Sequence, residues 1–267
     1  GTVGAMCGRV VTASSPEELS DYMGVDEIVA TLEGPDHNVA PTGQLPMVWV
    51  ISADTPVGTG PYRRGTTRCL GIARWGLVPS WARDPSIGNR LFNARSETVA
   101  EKPSFRSALR HRRCLVPVDG FYEWGPALPD SKERSRKQPW YVHRSDGNPM
   151  VLAGLREEWS GDDDINPASP MNTCTLITVT ANADLGEVHH RMPAVLEPDS
   201  WADWLDPTVT VAGAVLPVLR PAAAGVIKLH PVDRRVGNTR NKGAHLLDEA
   251  AVPAANCGTT GDQEVLW

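Results

Sequence analysis

Cys114-Leu115-Val116-Pro117-Val118-Asp119-Gly120-Phe121-Tyr122-Glu123-Trp124 sets two short apolar and aromatic runs on either side of an Asp-Gly pair. Short runs rich in β-branched and aromatic side chains, bounded by turn residues, read as strands, and Asp-Gly is a strong turn signal between them. Similar runs stand at residues 47–51, 68–75, 140–143, 150–155, 174–180 and 226–230, and Cys7-Gly8-Arg9-Val10-Val11-Thr12 reads as a further short β segment. Ser145-Asp146-Gly147-Asn148 is expected to close a hairpin over residues 141–152. Helices are fewer. Ser15-Pro16-Glu17-Glu18 supplies an N-cap, a proline at the first helical position and a capping-box glutamate, which predicts a helix to about Met23 ended by Gly24. Weaker helices are expected over 103–110 and over 198–205, the second carrying Trp201 and Trp204. The expected fold is α+β: one β-rich domain of twisted, mostly antiparallel sheets forming an open barrel-like core flanked by short helices.

A chain of 267 residues with 41% hydrophobic and 22% charged residues is large enough to bury its own core. No run of about 18 apolar residues is present, which excludes a helical membrane span and leaves a soluble protein as the expectation. The five cysteines, Cys7, Cys69, Cys114, Cys174 and Cys257, are odd in number, far apart and never in a C-x-x-C pair, so no disulfide framework or zinc finger is indicated. A reducing cytoplasm is expected, with no secretory signal in the sequence. Residues 1–5 before Met6 read as an expression-tag scar, which makes Met6 the expected start and Cys7 the second residue. Residues 6–250 are expected to form the working domain and 251–267 a loosely ordered tail, with mobile loops at 126–138 and 160–171. The Asp162-Asp163-Asp164 run reads as solvated charge. No repeat and no glycine-rich phosphate motif occurs, so no metal or organic cofactor is implied.

A formal net charge of −6 argues against a polyanionic partner, but the distribution reverses that impression. Residues 60–115 carry twelve bases, Arg63, Arg64, Arg68, Arg74, Arg83, Arg90, Arg95, Lys102, Arg106, Arg110, Arg112 and Arg113, against three acids. Residues 1–59 carry Arg9 alone against eight acids. Such a basic stretch permits a nucleic-acid partner without establishing one, since an ordinary enzyme can carry the same surface.

Several short motifs combine reactive and rigid residues beyond what a core requires. They are Cys7-Gly8-Arg9, Asn38-Val39-Ala40-Pro41, Trp75-Gly76-Leu77-Val78-Pro79-Ser80-Trp81, Asn93-Ala94-Arg95-Ser96-Glu97-Thr98, Arg113-Cys114-Leu115-Val116-Pro117, Gly120-Phe121-Tyr122-Glu123-Trp124, His189-His190-Arg191-Met192-Pro193 and Val236-Gly237-Asn238-Thr239-Arg240-Asn241. In this order the chain closely resembles the SRAP family, the SOS response-associated peptidase or abasic-site-processing proteins, over nearly its whole length. The resemblance implies a protein that shields abasic sites in single-stranded DNA by linking to them covalently through the cysteine after the initiator methionine, here Cys7. It also implies self-processing that exposes this cysteine, and it makes Glu123 the acid-base group near the Cys7 amine, His189 the proton donor, and Asn93 the amide that holds the sugar. The neighbouring His190 leaves the choice of histidine open.

Physical chemistry supports the first of these roles. An N-terminal cysteine is a 1,2-aminothiol: its amine can form an imine with a ring-opened sugar aldehyde, and its sulfur can then close a five-membered thiazolidine. No internal cysteine has both groups, and Cys7 preceded by Met6 has only an amide nitrogen. Glu123 on a strand beside aromatics would be costly to bury unpaired, which suits either a proton shuttle or an ion pair. Adjacent His189 and His190, if extended, point to opposite faces and so do not form a metal pair. Arg95, two residues beyond Asn93, shares its face if extended and can grip a phosphate. Trp75 and Trp81 bracket a loop in the basic stretch, and at least one is expected to stack on a base, aided by Arg9, Asn38, Arg74 and Arg106. The remaining cysteines read as core or incidental. The expected partner is abasic single-stranded DNA, bound by a monomer in the nucleoid-associated cytoplasm. Two competing readings are a cysteine peptidase or amidohydrolase acting in trans through Cys7 and His189, and a noncatalytic single-strand binder in which Cys7 plays no part.

Overall fold

Strands form at all eight of the apolar runs because each can bury both faces or one face of a pleat against another layer. The structure is a computed structural model that describes residues 7–52, 66–127, 136–161 and 170–250. In chain order the elements are β1 (Val10–Thr12), α1 (Pro16–Met23), β2 (Glu27–Ile28), β3 (Asp36–Val39), β4 (Gln44–Ser52), β5 (Thr66–Trp75), β6 (Asn93–Arg95), α2 (Arg106–His111), β7 (Arg113–Val118) and β8 (Gly120–Gly125). They continue with β9 (Gln138–Arg144), β10 (Met150–Trp159), β11 (Met171–Thr180), α3 (Ala183–Gly186), β12 (Arg191–Pro193), α4 (Pro198–Leu205), α5 (Ala212–Val215) and β13 (Ile227–Pro231), with short 3-10 turns between. The expected loops at 126–138 and 160–171 fall largely outside the described residues, as do the Asp162-Asp163-Asp164 run, residues 1–6 and the 251–267 tail with Cys257. Among the described residues no helix is long and apolar enough to cross a membrane.

The strands fall into two sheets. In the larger, β11, β10, β7, β4 and β5 pair antiparallel in that order. β5 then returns to β11 in parallel, with Arg74 opposite Thr173 and Trp75 opposite Cys174. The barrel-like core is therefore a closed ring of five strands, sealed by this short parallel seam, and closure removes the free edges that an open sheet would present. Leu45, Met47, Trp75, Cys114, Leu152, Cys174 and Leu176 are buried on one face of it, and Leu70 and Leu115 on the other. The smaller sheet runs β13-β9-β8-β1-β3 and is antiparallel throughout.

Two turns behave differently from a simple hairpin. Asp119-Gly120 carries the chain from one sheet to the other. The Asp119 carboxylate accepts from the Ala13 and Ser14 backbone N–H groups at 2.5 and 3.0 Å, and a Cβ at Gly120 would lie 2.5 Å from the Val142 carbonyl, so only glycine fits the step. Ser145-Asp146-Gly147-Asn148 forms its turn, with Gly147 at φ 79°, but the hairpin expected over 141–152 is absent: β9 pairs with β8 and β13, and β10 pairs with β7 and β11. The reason is burial. Residues 150–155 are buried on both faces, which a place between two barrel strands provides and a hairpin edge does not.

Of the helices, α1 and α4 lie where the sequence puts them, and α2 starts three residues later than expected, after a turn. Helix α1 has the full reciprocal capping box between Ser15 and Glu18, and Gly24 ends it at φ 60°. Ser15→Ala should lower stability by about 1 kcal/mol without altering the site; chemical denaturation measures it, and a change under a few tenths would show that the cap is redundant.

Candidate functional site

β1 and β8 run antiparallel with Val10 opposite Phe121, and the Tyr122 N–H donates to the Arg9 carbonyl at 2.9 Å. Continued toward Cys7, that register brings the residues before β1 alongside Glu123 and Trp124. The contact is direct: the Cys7 backbone N–H donates to Glu123 Oε2 at 2.9 Å, and the Trp124 N–H donates to Oε1 at 3.1 Å. Glu123 is 3% exposed and Cys7 1%. A carboxylate this deep is tolerated because each oxygen has a donor in place of water.

Cys7 sits at φ 41°, in the left-handed region that residues with a Cβ seldom occupy. Its carbonyl is held by Asn93 Nδ2 at 3.3 Å. Burial first, and the Glu123 carboxylate second, push the Cys7 thiol well above its ordinary value, since both disfavour the thiolate.

Asn93 arrives on β6, a three-residue strand that exists because it borrows the edge of β11, with Asn93 opposite Leu176 and Arg95 opposite Thr178. Ala94 turns into the core, which leaves Asn93 and Arg95 on the other face, and Arg95 is exposed.

His189 lies in the link between α3 and β12, half-buried. Its Nδ1 is 3.1 Å from the Arg191 backbone nitrogen and 3.3 Å from the Arg191 carbonyl. A backbone N–H can only donate, so Nδ1 accepts from Arg191, which leaves Nε2 as the ring's donor. Val188 packs on Gly125, two residues beyond Glu123 on the same face of β8; a Cβ there would lie 2.9 Å from Val188 Cγ1. No hydrogen bond joins His189 to Cys7 or Glu123 among the described residues. The His189 and His190 rings stack with centroids 4.5 Å apart. That corrects the opposite-face expectation: the backbone here is not extended.

Arg191 had no assigned role in the sequence. Its guanidinium pairs with both carboxylate oxygens of Glu97 and donates to the Thr178 carbonyl at 2.7 Å, tying the histidine segment to the Asn93 segment. The signal for this was present as a basic residue in one motif and an acid in another.

The expected DNA-contact residues divide. Trp81 is 59% exposed, and Arg95 and Arg106 are exposed. Trp75 is wholly buried, donates from Nε1 to the Phe92 carbonyl at 2.8 Å and meets Phe92 edge-on, so it anchors the core and is not free to stack on a base. Asn38 is wholly buried too, its amide donating to the carbonyls of Val236, Asn238 and Asn241, which corrects the DNA contact expected of it. Arg9 is half-buried, with Nη1 on Asn38 Oδ1 at 2.8 Å and on the Val236 carbonyl at 2.7 Å, and with its guanidinium 5.6 Å from the Trp124 ring centroid. Arg74 donates to Asn89 Oδ1 at 2.6 Å, and the register along β11 puts it on the opposite face from Asn93. Within the basic stretch, Arg68 and Arg113 are buried on backbone carbonyls and Arg112 pairs with Glu157, while Arg83, Arg90, Arg95, Lys102, Arg106 and Arg110 are exposed. Among the described residues no three His, Cys, Asp or Glu side chains are grouped to hold a metal ion.

A closed-barrel α+β protein with a cysteine seated on a buried carboxylate is the class that fold and site define. The chain belongs to the SRAP family, SOS response associated peptidase, whose family model matches residues 6–239. It is 34% identical over 244 residues to the abasic site processing protein YoaM of Bacillus subtilis, covering 91% of this chain and 98% of that one. It is 27% identical to the abasic site processing protein HMCES of Xenopus tropicalis, covering 88% and 76%. A solved protein of Bacteroides thetaiotaomicron has the same fold, with a TM-score of 0.72 at 20% identity, covering 92% of this chain and all of that one.

Glu123→Gln removes one of the two causes that hold the Cys7 thiol up. Alkylation of Cys7, followed by peptide-mapped mass spectrometry against pH, should begin at lower pH in the variant and stay slow in both proteins because the thiol is buried. Superimposable pH profiles would mean that the carboxylate does not act on the sulfur.

Proposed function

We propose that this protein processes abasic sites in single-stranded DNA by capturing the lesion covalently through Cys7. The observation that carries the reading is the Cys7 nitrogen held 2.9 Å from the buried Glu123 carboxylate. The relatives' names, abasic site processing proteins, support the abasic-site chemistry.

In this reading hydrolysis of the Met6–Cys7 peptide bond comes first. Water supplies a hydroxyl to the Met6 carbonyl and a proton to the Cys7 nitrogen, and Glu123 becomes the counterion and proton acceptor of the new amine. The amine then attacks the aldehyde carbon of the ring-opened sugar. A carbinolamine forms and loses water: its oxygen departs with a proton from His189 Nε2, and its nitrogen releases a proton that returns to the histidine through solvent, leaving an imine. The Cys7 sulfur adds to the imine carbon, its proton passes to the nitrogen by way of Glu123, and a thiazolidine closes. A thiol held protonated until the imine exists suits this order, because the amine reacts first. Asn93 fixes the Cys7 carbonyl and orients the residue. Outside the site, Trp81 stacks on a base, a contact worth about 1 to 3 kcal/mol, and Arg95 and Arg106 hold phosphates. The protein acts as a monomer on DNA in the cytoplasm.

A peptidase acting in trans needs a thiolate beside an imidazole, whereas the neighbour of Cys7 is a carboxylate that disfavours the thiolate. A noncatalytic binder gives Cys7 no task. Mature protein beginning at Cys7, the Met6-extended chain, Cys7→Ala and Glu123→Gln, each incubated with an abasic oligonucleotide and run on a denaturing gel, separate the readings. The mature protein should form an adduct, Cys7→Ala and any chain that mass spectrometry shows still to carry its extension none, and Glu123→Gln an adduct at a rate lower by about a hundredfold or more. Equal adduct from mature protein and from chains that retain the extension would end the aminothiol mechanism.

A further inference from the structure

The Val236-Gly237-Asn238-Thr239-Arg240-Asn241 motif plays no part in the chemistry above, yet its backbone is gathered on one buried side chain. Asn38 Nδ2 donates to the carbonyls of Val236, Asn238 and Asn241 at 3.2, 3.1 and 3.0 Å. The same amide's Oδ1 accepts from Arg9 Nη1 at 2.8 Å, and Arg9 Nη1 also reaches the Val236 carbonyl at 2.7 Å. Lys242 closes the far end of the segment, donating to the Asp36 carboxylate and to the Asn38 carbonyl at 2.9 Å. A segment with little regular structure of its own is thus strapped over β3.

What makes this more than packing is where the strap's contacts lead. Arg9 is two residues from Cys7, and its guanidinium lies over Trp124. Trp124 follows Glu123 and donates its N–H to that carboxylate. Tyr122, which precedes Glu123, donates its N–H to the Arg9 carbonyl and its hydroxyl to the His37 carbonyl, each at 2.9 Å. Both neighbours of Glu123, and the residue that fixes the course of the chain from Cys7 into β1, therefore converge on His37 and Asn38. Cys7 is in a backbone conformation that the surrounding structure must enforce.

We infer that Asn38 is a positioning residue: by clamping Arg9 between the 236–241 strap and Trp124, it holds the Cys7 nitrogen against Glu123. The inference rests on the proposed role of that pair. An asparagine is needed because one planar amide must both donate to carbonyls and accept from a guanidinium. Aspartate keeps the acceptor but turns a charge toward three carbonyl oxygens.

Mature Asn38→Asp, Asn38→Leu and Arg9→Lys proteins test it. Arg9→Lys keeps the charge but loses the planar fork and the flat seat over Trp124, and it decides the question by the same readouts if the Asn38 variants do not fold. Three quantities are read: affinity for a strand carrying an unreactive tetrahydrofuran abasic analogue, single-turnover adduct formation with an aldehyde-bearing strand, and the pH profile of Cys7 alkylation. Positioning predicts affinity within about twofold of the parent, adduct formation slower by about tenfold or more, and alkylation shifted to lower pH as Glu123 moves off the sulfur. An unchanged adduct rate overturns the inference, as does a parallel fall of affinity and rate with the alkylation profile unmoved, which marks a DNA contact or general loosening. Should the parent protein form no adduct at all, the proposed function falls, and the alkylation profile still decides the role of Asn38: a shift sustains it, and no shift overturns it.

Discussion

The site depends on the burial of one carboxylate. Glu123 stands among aromatics on β8 with 3% of its surface exposed, and a carboxylate there without donors would cost several kcal/mol. One donor comes free, from the neighbouring Trp124 N–H. The other has to be brought from 116 positions away in the chain, and it is the backbone nitrogen of Cys7. The approach of Cys7 to β8 is therefore a requirement of the fold's electrostatics as well as of its chemistry, and the left-handed backbone at Cys7 is the strain that the approach entails.

Cys7 also joins the two sheets. Its nitrogen bonds Glu123, on the smaller sheet, and its carbonyl is held by Asn93, on a strand that extends the larger one. Glu123 reaches this place because Asp119-Gly120 carries the chain across from β7, and Asn93 because β6 continues along the edge of β11 beyond the parallel seam that β5 makes with it. Arg191, on Glu97 and Thr178, fastens the histidine segment to the same edge. A site assembled where two sheets meet can bring distant residues together while each remains on a short, firmly paired element.

Much of this was legible in the sequence. Apolar, β-branched and aromatic runs gave eight strands, the Ser15 and Glu18 cap and Gly24 gave α1 its limits, and the motif order gave the family. What could not be read was partnership. Two-residue periodicity says that a run is a strand and not which strand it joins, so the turn at Gly147 implied a hairpin that the two-faced burial of β10 forbids. The strands β2, β3, β6 and β12 are short and polar, and they exist through the edges they pair with rather than through their own composition. The nature of a tryptophan or asparagine likewise does not reveal depth: Trp75 and Trp81 flank one loop, yet one lies in the core and the other faces solvent.

Charge shows the same limit with a different consequence. The basic stretch owes part of its excess to arginines that are structural: Arg68 donates to the Met23 carbonyl, Arg113 to the carbonyls of Trp204, Leu109 and Asp206, and Arg112 is neutralised by Glu157. A guanidinium has enough donors to satisfy several carbonyls at once and stays charged while doing so, which is why arginine rather than lysine occupies such places. A raw count of bases therefore overstates the field that reaches solvent. Among the described residues, with Arg63 and Arg64 lying outside them, the exposed bases of the stretch lie on residues 83–110, the part of the chain that includes Asn93 and Arg95. With fields screened over about 8 to 10 Å at physiological salt, an acidic protein can still present a cationic surface to one strand of a polyanion, provided that its acids lie elsewhere. The eight acids of residues 1–59, set against Arg9 alone, show that segregation in the sequence itself.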